Sequence, residues 1–119
     1  MPILDVQLVG PVAADIRPGL AQRIAEATGR ALDSRPQGTW VKLRFLDEQD
    51  YAENGGGPAG AQPVLVSVLQ AELPQGSQLA ELASRLAAAI AEACSRPVED
   101  VHILFEPPAA GRIAFGGKL

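Results

Sequence analysis

At 119 residues the chain is long enough for one domain with a real hydrophobic core and too short for two. Apolar residues make up 47% and charged residues 20%, the balance of a folded globular protein; aromatics are only 4%, so alanine, leucine and valine must fill the core. Ten basic against fourteen acidic residues give a net charge of −4 with no Lys/Arg cluster, which argues against nucleic-acid binding. One cysteine and one histidine argue against a zinc site, and no stretch approaches the ~20 apolar residues of a membrane span.

Ile3 to Val9 is a mostly apolar β-type run, broken by Gly10-Pro11. No basic region followed by a long apolar stretch stands before it, so the expected compartment is the cytoplasm. Pro18 suits the first turn of a helix, and Leu20, Ile24, Ala27 and Ala31 follow at helical spacing until Pro36-Gln37-Gly38 stops it. Trp40 to Leu46 reads as a second strand, with Val41, Leu43 and Phe45 on one face and Trp40, Lys42 and Arg44 on the other. Asp47 to Ala61 is a connector, its Asn54-Gly55-Gly56-Gly57-Pro58 run unsuited to helix or strand. A strand rather than a helix follows these glycines, which removes the context of a phosphate-binding loop.

The pattern restarts at Pro63 with an apolar strand to Leu69, a turn at Pro74-Gln75-Gly76, and Ser77 as helix N-cap. Leu79, Leu82, Leu86, Ala89, Ile90 and Ala93 mark the apolar face of the second helix, in which Cys94 is a small buried thiol. Pro97 ends the helix, and Val101 to Glu106 forms the fourth strand. Ser34-Arg35-Pro36 recurs as Ser95-Arg96-Pro97, and Val41 falls opposite Val101 after a single-residue gap, an internal duplication with a period of about sixty residues.

The expected fold is α/β, also described as α+β. It is a single domain of two tandem β-α-β units, residues 2–46 and 62–119 joined by a connector at 47–61. They form a four-stranded mixed sheet with both helices on one face. The uncovered face and edges of that sheet call for oligomerisation.

The opening Met1-Pro2-Ile3, the two β-α-β halves and the tail Gly111-Arg112-Ile113-Ala114-Phe115-Gly116-Gly117 together resemble the tautomerase superfamily. That group includes 4-oxalocrotonate tautomerase, whose short subunit equals one half, and double-length relatives such as macrophage migration inhibitory factor and the haloacrylic acid dehalogenases. The length here resembles the second kind. The resemblance implies a homotrimer and catalysis by the secondary amine of Pro2, freed when Met1 is removed. An apolar pocket or nearby cations would bring that amine into the range of a base near neutral pH. Ile3 and Phe115 are candidate walls.

Pro63 stands at the matching place in the second half, where its amide nitrogen cannot act as a base. The resemblance also implies that His102 reaches a neighbouring subunit's proline pocket. The dehalogenases carry two arginines in the loop after the third strand, whereas the loop here is Gln70-Ala71-Glu72-Leu73 with no cation. That departure weighs against a dicarboxylate substrate. It leaves Arg17, Lys42, Arg44 and Arg112 as candidates to bind a substrate carboxylate, each of which is otherwise a solvated charge. Asp47, Glu48, Asp50 and Glu106 are spaced for solvation rather than paired acid/base work.

The sequence thus points to an isomerase acting on a small α-keto or enol acid. On that resemblance Pro2 would be the general base, His102 would donate to the substrate, Arg17 or Arg112 would hold its carboxylate, and neither cofactor nor metal would be required. Its rivals are a trimeric binding subunit that kept the fold and lost the chemistry, and a decarboxylase or dehalogenase using protonated Pro2 as an acid. The glycine-rich connector generates a first prediction. Its amides, Asn54 to Gly57 above all, should be among the fastest in the chain to exchange with solvent; strong protection there would mean the loop is packed.

Overall fold

The computed structural model describes residues 2–57 and 62–119. The remainder of the connector, 58–61, lies outside the described residues. Strand β1 (Ile3–Val9) leads through helix α1 (Leu20–Ala31) to strand β2 (Trp40–Leu46). Strand β3 (Val64–Leu69) then leads through helix α2 (Ser77–Cys94) to strand β4 (Val101–Phe105). The sheet order is β2-β1-β3-β4. Each half contributes a parallel pair, β1 with β2 and β3 with β4, and the halves meet through the antiparallel pair β1 and β3, in which Val6 lies opposite Val66.

Alternation along the strands decides which side is filled. Leu4, Val6 and Leu8 of β1 and Val64, Val66 and Val68 of β3 are buried. They join Leu20 and Ile24 of α1 and Leu82, Leu86 and Ile90 of α2 in one cluster, so both helices cover the same face of the sheet. The intervening side chains, Asp5 and Gln7 of β1 with Lys42 and Arg44 of β2, point to the other, uncovered face. Cys94 is buried as expected, and burial pushes its thiol pKa up to about 11, which keeps it protonated and unreactive.

Three expectations shift. Pro18 lies ahead of α1 rather than in it, because Gly19 takes the N-cap in the left-handed region at φ 69°, a conformation costly for residues with a Cβ. Ser77 is the first residue of α2 and caps nothing; Gly76, at φ 59°, precedes it. The connector is not wholly irregular, since Glu48–Asp50 form a single 3-10 turn whose N-cap, the Asp47 carboxylate, accepts a hydrogen bond from the Gln49 N–H at 2.9 Å.

Candidate active site

The strand registers correct the expected match between the halves. Val41 and Val101 pair with Leu4 and Val64 respectively, so the strands of the two halves correspond at an offset of sixty. Pro2 therefore corresponds to Gln62, and Pro63 to Ile3. Burial agrees, since Leu4, Val6 and Leu8 match Val64, Val66 and Val68 one for one.

Pro2 is buried at the start of β1, where its carbonyl accepts the Trp40 N–H at 3.0 Å. It lines a cleft of about 780 Å³ whose other walls are the α1–β2 loop from Leu32 to Gly38 and the β3–α2 loop from Gln70 to Glu72. The α1–β2 wall depends on a glycine. A Cβ on Gly38 would lie 2.8 Å from the Arg35 carbonyl oxygen, closer than any side chain tolerates. The tail fixes the β3–α2 wall through its backbone. Ala109 N–H donates to the Gln70 carbonyl at 2.8 Å and Ala110 N–H to the Ala71 carbonyl at 3.1 Å.

Among the described residues that line this cleft the cation is Arg35, and Asp33 and Glu72 are its acidic residues. Arg35 is not among the cations singled out by its sequence context, and its signal there is the repeated Ser-Arg-Pro. Its counterpart Arg96 shows what an arginine at this place can do. One terminal nitrogen of Arg96 donates to the Gln62 and Pro63 carbonyls at 3.0 and 3.3 Å, and the other to the Pro11 carbonyl at 3.2 Å. Gln62 and Pro11 correspond to Pro2 and Ala71, so in the second half the equivalent of the Pro2 cleft is filled by its own arginine. Burial there pulls the Arg96 guanidinium below its usual pKa. Arg35, by contrast, is exposed at the cleft.

Within one chain the other candidates lie apart from Pro2. The Arg17 guanidinium sits 3.9 Å above the Phe45 ring, near the far end of β2. His102 is exposed on β4 and level with Gln7 through Leu65, roughly 17 Å along the strands from Pro2 at about 3.4 Å per residue. Lys42 pairs with Asp5 at 3.2 Å on the uncovered sheet face, and Arg44 approaches the same carboxylate at 3.9 Å. Arg44 and His102 line a second concavity there, of about 350 Å³. Arg112 turns back onto the Pro107 and Pro108 carbonyls of its own segment. Phe115 meets Trp40 edge to face at 5.8 Å between ring centroids, which brings the tail beside the strand residue paired with Ile3.

No model of a known protein family matches the sequence, and no curated protein does. Solved structures do match, over nearly the whole chain. Pt0534 inactivated by 2-oxo-3-pentynoate is 18% identical over 98% of this chain and 94% of its own, with a TM-score of 0.76. A fused 4-OT that forms an asymmetric trimer is also 18% identical, over 98% and 94% of the two chains, at a TM-score of 0.75. MIF2 of Leishmania major is 20% identical over 99% and 96%, at a TM-score of 0.64. The chain has the fold of the tautomerases and macrophage migration inhibitory factors, in its double-length form.

The two arginines should separate in a stability measurement. In urea unfolding, Arg96→Ala should cost about 1–3 kcal/mol by removing the donor to the Gln62 and Pro11 carbonyls, the Pro63 carbonyl keeping the Val9 N–H, whereas Arg35→Ala at an exposed site should stay within about 0.5 kcal/mol of the parent.

Proposed function

We propose that the chain is a tautomerase-type isomerase that moves a proton on a small α-keto or enol acid, with the free amine of Pro2 as general base after removal of Met1. The observation that carries this is the position of Pro2, buried at the head of β1 on a cleft rimmed by the exposed Arg35. The amine takes a proton from the carbon beside the substrate carbonyl and returns it elsewhere. Arg35, the cation on the same cleft, holds the carboxylate through paired N–H donors. Inactivation of Pt0534 by a 2-oxo acid supports a substrate of that class.

His102 donates to the substrate from a neighbouring subunit, in keeping with its exposure on β4. Phe115 is the apolar residue the tail offers near the head of β1, where it meets Trp40, the partner of Ile3. Lys42 and Arg112 are secondary cations, and Arg17, engaged with Phe45, is the remotest of the group. The protein works as a homotrimer in the cytoplasm. What supports the trimer is the uncovered sheet face, where Trp40 is 46% and Leu104 is 62% exposed, together with the trimeric assembly of the fused 4-OT structures. Among the described residues no helix is long and apolar enough to cross a membrane.

Sedimentation should give a mass of three chains at micromolar concentration, and a monomer would overturn the assembly. Enol-to-keto conversion of phenylpyruvate or 2-hydroxymuconate tests the chemistry. Pro2→Ala keeps a primary amine and should lose part of the about 100- to 10,000-fold that a general base supplies; a form retaining Met1 should lose more. Arg35→Ala should lower kcat/KM about tenfold or more, chiefly through KM. Activity should rise with pH as the amine loses its proton. Equal turnover with and without Met1 would remove Pro2 as base and make His102 the next residue to test. No turnover in either form would leave the trimeric binding subunit.

A further inference from the structure

The cleft contains a buried acceptor without a donor. Gln70 Oε1 is shielded from solvent and has no hydrogen-bond partner among the described residues, a state that buried polar atoms rarely keep. Its backbone is not free to turn away, because the Gln70 carbonyl is held by Ala109 and the neighbouring Val68 carbonyl by Glu106, at 2.8 and 2.9 Å.

The register shows what lies opposite. Ile3 faces Leu69 in the antiparallel β1–β3 pair, and one further step puts Pro2 opposite Gln70. Both residues line the same cleft. Residues directly opposite in such a pair have Cβ atoms about 5 Å apart. The other end of the pair bears this out beyond its own last rung. Gly10 and Gln62 are opposite there in the same register, and a Cβ on Gly10 would stand 3.4 Å from the Gln62 side chain.

A proline nitrogen bonded to a preceding residue has no hydrogen to give. Removing Met1 changes that, since a free secondary amine carries one N–H when neutral and two when protonated. We infer that Gln70 is a positioning residue for the Pro2 amine, its Oε1 accepting a hydrogen bond from the nitrogen that Met1 removal exposes. The inference rests on the reading of Pro2 as the base. It makes two statements about the amine. Accepting a bond from the charged form stabilises that form and raises the proton affinity. Holding the single N–H of the neutral form turns the lone pair away from Gln70 and toward the open cleft.

Other charges face this end of the sheet. Asp33 and Arg35 stand on the α1–β2 loop and Glu72 on the β3–α2 loop, all exposed. The tail adds Arg112, turned onto its own carbonyls, and the exposed Lys118, while Asp5 and Lys42 pair with each other on the opposite face.

The test is a nitrogen NMR titration of Pro2 in the full-length protein lacking Met1, run beside the turnover assay. Gln70→Leu should lower the titration midpoint by about one pH unit, the size expected for losing a hydrogen bond to a charged group. Gln70→Glu, which keeps an oxygen acceptor and adds a charge, should raise it above the parent value. If Gln70→Leu fails to fold, the direction of the Gln70→Glu shift decides. Unchanged midpoints would overturn the inference and leave Pro2 standing as the base. Shifted midpoints in a protein that turns over equally well with Met1 retained would uphold the contact and remove Pro2 from the chemistry.

Discussion

The antiparallel pairing of β1 with β3 is the constraint on which the other features depend, because it joins two β-α-β units back to back about a point between Val6 and Val66. A slip of one residue would carry Leu4, Val6 and Leu8 from the helix-covered face to the open one and expose the core. The same register that protects the core also fixes the ends of the pair. It sets Pro2 against Gln70 at one end and Gly10 against Gln62 at the other.

Duplication made these two ends similar, and a few substitutions made them different. At one end Arg96 spends its donors on three carbonyls and welds α2 to the start of β3 and to the β1–α1 loop. At the other, Arg35 stands outward and the space remains as a cleft. One arginine is thus part of the architecture and its twin is exposed at the cleft, though both sit in the same tripeptide. Proline at the second position and glutamine at the sixty-second complete the asymmetry.

Much of the fold was legible in the sequence because the strands alternate cleanly. The expected ranges of β1 and β2 coincide with those observed, and β3 and β4 differ by one residue at one end each. The helix starts were less legible. Proline and serine are strong start signals, yet here glycines with positive φ turn the chain just before each helix and displace them. The match of Pro63 to Pro2 failed for a related reason. The repeat is offset by sixty-one at Ser-Arg-Pro and sixty in the strands, so like residues do not occupy like places. Arg35 was hidden because its part depends on which of two identical tripeptides has turned inward, and Gln70 because an unpaired oxygen has no signature in sequence.

Trp40 is the one tryptophan of the chain, and its place gives it a second consequence. The indole is half in solvent, its N–H donates to the Gln37 carbonyl at 3.1 Å, and its ring edge rests on Phe115. Fluorescence excited at the red edge of the absorption band, where tyrosine is silent, therefore originates at the junction of the tail, the α1–β2 loop and the head of β1. A tail that lifts, or a loop that closes over an occupied cleft, alters the polarity around a single emitter. The molecule reports on the contact between its tail and its α1–β2 loop without an added dye.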